Sequence, residues 1–193
     1  MPWIKQIGND HQQYGWLSIF FHWLMALTIL AMYPLGLYIV SLGYYDPGYQ
    51  VWPNVHRSIG VLLGMLLLLR LAWRWYQPNP IMLASGWEKF AARAGHTLLY
   101  LLLAVVVVSG YLMSTADGRA VQVFDWFSVP AVSWLAQRQE ELWGAVHFYS
   151  ATTLISLAGL HALAAFKHHF FERDRTLVRM LGRQSQLKES NHD

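Results

Sequence analysis

The chain contains no cysteine. That absence excludes disulfides, iron–sulfur clusters, thiolate-ligated metals and any cofactor attached through a Cys-x-x-Cys-His motif. Charge is scarce too: Asp, Glu, Lys and Arg make up 13% of the 193 residues, against 55% hydrophobic. The apolar residues are concentrated in four runs, 17–40, 55–76, 96–113 and 142–166. Each is about long enough to cross a ~30 Å hydrocarbon layer. The first run exceeds the usual core of a signal peptide, lacks a small-residue cleavage pattern and carries a histidine, so it reads as a span. The expected fold is all-α, a transmembrane four-helix bundle, with residues 1–193 forming one integral membrane domain.

Positive charge is missing from one set of connections. Residues 41–54 hold no Lys or Arg, and the segment between the third and fourth runs has only Arg119 and Arg138, against Asp117, Asp125, Glu140 and Glu141. The connection between the second and third runs is basic, with Arg70, Arg74, Lys89 and Arg93. So is the tail, with Lys167, Arg173, Arg175, Arg179, Arg183 and Lys188. The positive-inside rule then places both termini in the cytoplasm. A basic tail adjoining a span is a topology signal and lipid-headgroup anchor, and no nucleic-acid partner is expected. Trp52, Trp73, Trp75, Trp126, Trp134 and Trp143 lie near run ends, as interfacial aromatics should.

What is present inside the runs is histidine. His147 and His161 stand fourteen residues apart on the fourth run. Fourteen steps of ~100° fall within about 40° of whole turns, and at ~1.5 Å per residue they separate the rings by ~21 Å. Both imidazoles therefore leave one face of one helix at opposite depths. With alternating helix directions, His56 lies at the outer level, and His22 and His96 lie at the inner one. Depth pairs His56 with His147. For His161 it offers two partners, His22 and His96, and sequence geometry does not choose. A lone intramembrane histidine reads as a polar bridge or proton path, and a zinc site would gather its ligands around one point. Imidazoles paired at two depths point instead to two stacked bis-histidine haems. His11, His168, His169 and His192 read as interfacial or solvated.

The same fourteen-residue offset recurs. Gly36 follows His22 by fourteen, Gly110 follows His96 by fourteen, and Gly60 and Gly64 lie four and eight after His56. Glycine is where a backbone can approach a flat porphyrin; the plainer reading is small-residue helix packing. Arg70, fourteen after His56, shares its face at the inner depth. It can pair with haem propionates or snorkel to headgroups.

These residues resemble the bacterial cytochrome b561 family over nearly the whole chain. The motifs are Ser18-Ile-Phe-Phe-His22-Trp23, Val55-His56-Arg57-Ser58-Ile59-Gly60, Gly95-His96-Thr97-Leu98-Leu99-Tyr100, Val146-His147 and Gly159-Leu160-His161, with the closing run from Asp174 to Leu181. The resemblance implies a di-haem b cytochrome of the bacterial inner membrane. It implies His22 with His161 as axial ligands of the inner haem iron and His56 with His147 as those of the outer. His96 then stands beside the inner haem or a quinone pocket. One branch of the family oxidises superoxide outside and passes the electron to ubiquinone, and the likeness is nearest to that branch. Arg57, Arg119 and Arg138 are the outer cations able to attract an anion. The rival expectation is an electron-transfer subunit anchoring a separate dehydrogenase or other redox partner protein to the quinone pool.

Overall fold

The protein is described by a computed structural model that covers residues 4–81, 86–132 and 139–183. Four long helices carry the fold: α1 Trp16–Ser41, α2 Val51–Tyr76, α3 Gly86–Ser114 and α4 Glu140–Phe170. All four are long and apolar enough to cross a membrane. They form a four-helix bundle in which α3 packs most extensively on α4, α1 on α2 and α2 on α3, while α1 meets α4 thinly. Helix α3 starts ten residues before the apolar run that marks it, so His96 lies well inside the helix rather than opening it. The added turns carry Glu88, Lys89 and Arg93. Hydropathy locates the lipid-crossing part of a helix and misses a polar extension.

The core is small. Met25, Leu63, Leu67, Leu103 and Leu154 are buried in one cluster. Leu154 stands midway between His147 and His161, and Leu63 and Leu67 lie between His56 and Arg70, so this apolar layer separates the two histidine levels. Large apolar side chains elsewhere face outward, Leu27, Leu68 and Leu163 each more than 60% exposed. An apolar surface distributed all round a bundle fits lipid as its solvent.

The first and last described residues, Ile4 and Arg183, lie at one end of the bundle. Ile4 N–H donates to Gly182 O across 3.0 Å, and the short helix α5 Thr176–Met180 packs against the end of α4. Here the N-terminal segment supplies what the start of α1 lacks. Trp16 N–H donates to Gln6 O, and Asn9 Oδ1 accepts from Gly15 N–H at 2.9 Å and from Ser18 Oγ at 2.7 Å. Free helix N–H groups are thereby satisfied. The segment passes so close that a Cβ on Gly15 would sit 2.2 Å from Ile7 O. Arg179, 6% exposed, ties the tail to this cap by donating to Ile81 O at 3.0 Å and to Gln12 O.

The opposite end carries the one departure from an all-helical fold among the described residues. Strands β1 Val121–Val123 and β2 Phe127–Val129 pair antiparallel, Val121 opposite Val129, around a turn in which Phe124 has φ 48°. Val121 and Val123 are buried, and the hairpin is pinned to α2 by Ser58. Its Oγ donates to Gln122 O at 3.2 Å and accepts from Phe124 N–H at 2.9 Å. Alternating valines on a three-residue strand supply one buried face. Once Ser58 is buried, its hydroxyl needs such partners.

Candidate cofactor sites

Two helices bring a histidine each to α4, at two levels. At the hairpin-side level the ring centres of His56 and His147 are 6.2 Å apart with planes at 78°. At the terminus-side level those of His22 and His161 are 6.4 Å apart at 63°. A metal held between two imidazole nitrogens by bonds of ~2 Å places the ring centres roughly 6.3 Å apart. Both pairs meet that spacing. His96 stands closer to His161, at 5.1 Å between centres, less than two rings on opposite sides of one metal require. The five rings are half-buried.

The two levels are dressed differently. His147 Nδ1 lies 2.9 Å from Val106 O on α3. A carbonyl can only accept, so Nδ1 carries the proton and the Nε2 lone pair is free for a metal. Gly110 makes that approach possible, because a Cβ there would lie 2.8 Å from Cε1 and Nδ1 of His147. Across the pair, a Cβ on Gly36 would lie 3.4 Å from His56 Cε1. Both glycines therefore seat histidine rings, a closer and more specific duty than making room for a flat plate. Gly64 serves helix packing, its Cβ position 2.8 Å from Val107 Cγ1, while Gly60 has only Met32 Cε at 4.0 Å. His56 Nδ1 is buried without a hydrogen-bond partner among the described residues. Gln13, Trp143, His169 and Arg179 also carry such an atom, so this one gains meaning only from the His147 ring opposite it.

At the terminus-side level the neighbours are side chains. Arg70 turns into the bundle instead of snorkelling. Its Nε donates to Tyr100 Oη at 2.9 Å, one terminal nitrogen donates to Phe21 O at 3.2 Å, and the other lies 3.2 Å from His22 Nδ1. Arg74, one turn on, lies over the same Tyr100 ring at 5.8 Å. The sequence had a signal for Tyr100, four residues after His96 on one face, and for Arg74, four after Arg70. It had none for the carbonyl of Val106, because every residue carries one.

The cations expected on the hairpin side fare unequally. Arg57 is partly buried, donating through Nε to Pro53 O at 3.2 Å and also to Asn54 Oδ1; among the described residues it forms no salt bridge, though its charge helps hold the Asp117 carboxyl down. Arg119 is exposed and bridges Asp117 at 2.5 Å. Its hydrogen bonds hold the Asp117 carboxyl below the usual range, so the pair stays ionised and nearly neutral as a unit. Arg138 lies outside the described residues. His168 faces Glu172, away from both levels, with Lys167 bridging Glu172 and Glu88.

A family model described as prokaryotic cytochrome b561 matches residues 13–183. Among curated proteins, the chain is 46% identical to cytochrome b561 homolog 2 of Escherichia coli (strain K12) over 179 residues, 92% of this chain and 95% of that one. It is 28% identical to the probable superoxide oxidase CybB of Yersinia pestis over 174 residues, 89% and 97% of the two chains. It is 23% identical to cytochrome b561 homolog 1 of Escherichia coli (strain K12) over 177 residues, 86% and 95%.

Proposed function

Because the chain belongs to the prokaryotic cytochrome b561 family, whose members carry electrons in the membrane on haem b, we propose that it is a di-haem b cytochrome. In this reading His56 and His147 hold one iron and His22 and His161 the other. The carrying observation is the pair of ring separations, 6.2 and 6.4 Å, at two levels of one bundle. Bound haem supplies reversible one-electron chemistry. Everything else is done by this chain. Val106 O fixes the tautomer of His147, Gly36 and Gly110 admit the rings, and the Met25–Leu154 layer keeps water from the space between levels. Arg70, half-buried at the terminus-side level, would be the cation able to meet the carboxylates of a haem bound there.

The reaction proposed is oxidation of superoxide by ubiquinone: two superoxide anions and two protons with one quinone give two dioxygen molecules and one quinol. Loss of an electron from superoxide needs no open metal position, which suits a bis-histidine site. It does need attraction of an anion to the hairpin-side surface. Arg57 suits this best, being next to His56 and in no salt bridge among the described residues, whereas Arg119 bridges Asp117 directly. The relation to the Yersinia pestis protein supports this donor. Orientation follows the charge pattern, with both termini in the cytoplasm of a bacterial inner membrane and the hairpin outside.

The test is direct. The purified protein should hold two haems, give reduced-minus-oxidised spectra of low-spin haem b, and couple superoxide loss to quinol formation at two to one. A colourless protein ends the haem reading. A di-haem protein inert to superoxide but reduced through a copurifying dehydrogenase reassigns the donor and keeps the haems.

A further inference from the structure

Helix α1 carries a proline in its interior, Pro34, and meets α4 thinly. Pro34 has no N–H to give to Leu30 O, so the hydrogen-bonded ladder of α1 is broken just before Gly36. Gly36 is the residue that lies against the His56 ring, where a Cβ would stand 3.4 Å from Cε1. A helix weakened there needs an outside hold to keep its hairpin-side part on that ring. Tyr33 supplies one. Its hydroxyl lies 3.2 Å from Thr152 Oγ1, which already gives its own proton to Phe148 O at 2.9 Å. Tyr33 Oη therefore donates and Thr152 accepts, two hydroxyls in a chain that ends on the α4 backbone. Among the described residues this is the only hydrogen bond between α1 and α4.

The tie sits close to one level and far from the other. Tyr33 precedes Gly36 by three residues and Thr152 follows His147 by five, ~4.5 and ~7.5 Å along the two axes. His22 lies eleven residues before Tyr33, ~16 Å away along α1. Between helices in lipid, apolar packing has no hydrophobic drive behind it, and polar ties of this kind hold neighbours together. Contacts around a ligand ring in turn fix its orientation. We propose that Tyr33 is a positioning residue for the hairpin-side pair. By fastening α1 to α4 beside Pro34 it holds Gly36 on the His56 ring, and so keeps the planes of His56 and His147 at 78°. It acts through Gly36 and not on the metal. This inference rests on the ligand assignment proposed above.

Electron paramagnetic resonance of the purified, oxidised di-haem protein tests it, because the largest g value of a low-spin iron between two imidazoles follows the angle between their planes. The signal missing from His56→Ala identifies the hairpin-side centre. Tyr33→Phe keeps the ring and loses the donor, and Thr152→Val keeps the shape and loses the acceptor. Each should retain two haems and shift the hairpin-side signal while the other stays in place. Thr152→Ser, which keeps a hydroxyl, should restore the parent spectrum, and the double variant should match either single one. If Tyr33→Phe sheds haem instead, loss of the hairpin-side haem alone supports the proposal. Two unmoved signals overturn it. So does an equal shift of both signals or loss of the terminus-side haem, since a general loosening of the bundle would do that. Loss of both haems or of neither in His56→Ala is a different failure, that of the ligand assignment.

Discussion

The two histidine levels share a ruler and little else. Helix α4 spaces them by fourteen residues, and α1 and α2 each contribute one partner. On the hairpin side the supporting groups belong to the backbone: a carbonyl on His147, glycines against both rings, and a β-hairpin clasped over the end of α2. On the terminus side they are long polar side chains, with a third histidine, two arginines and a tyrosine. Backbone groups fix geometry without adding charge. Side chains add charge and can be tuned residue by residue. Similar spacing at the two levels therefore coexists with different surroundings.

Substitutions of the ring residues break the comparison most sharply. His147→Ala or His56→Ala should reduce haem from two per chain to one and abolish reaction with superoxide, while His161→Ala or His22→Ala should remove the other haem. His96→Ala should keep both, because its ring stands too close to His161 for the two to hold opposite sides of one metal. Haem extraction and quantitation reads all five, and one haem in His96→Ala would exchange the roles of His22 and His96.

Next in size is Gly110→Val. Its Cβ would meet the His147 ring at 2.8 Å and push Nδ1 off the Val106 carbonyl, so the hairpin-side haem should be lost or turn high-spin. Gly36→Ala, at 3.4 Å from His56, should disturb that level mildly, and neither change should touch the other level. Electron paramagnetic resonance separates the outcomes. A normal low-spin pair in Gly110→Val would mean that the glycine does not seat the ring.

Ser58→Ala strips Phe124 N–H of its acceptor and frees the hairpin's hold on α2, at a cost of about 1–3 kcal/mol. Thermal denaturation should register the loss with both haems retained. An unchanged melting temperature would show the hairpin to be held by Val121 and Val123 alone.

The smallest effect sharpens the donor side. Arg57→Gln should slow superoxide oxidation several-fold at low ionic strength and little at high, as screening predicts. Arg119→Gln should change it less than twofold, its charge being offset already. Stopped-flow rates against salt decide, and the reverse order would move the entry point to Arg119.

Much of this architecture is legible in the chain. Four apolar runs mark four spans, and the fourteen-residue offsets of His56 to Arg70 and of His147 to His161 set their depths, since helix rise and turn depend only on the backbone. The runs under-read α3 by ten residues because its first turns are polar. The hairpin escaped notice because two three-residue strands leave too short a pattern to see.

What one helix does to its own residues was thus determined by sequence: which face, which depth, which residues are in phase. What neighbouring helices do to one another was decided only by tertiary packing. It put His22 rather than His96 at 6.4 Å from His161, turned Arg70 inward onto Tyr100, and aimed the Val106 carbonyl at His147. Helical periodicity fixes angle and rise about a single axis. The rotation of that axis against its neighbours is a sum of many weak contacts, which no repeat within one segment records.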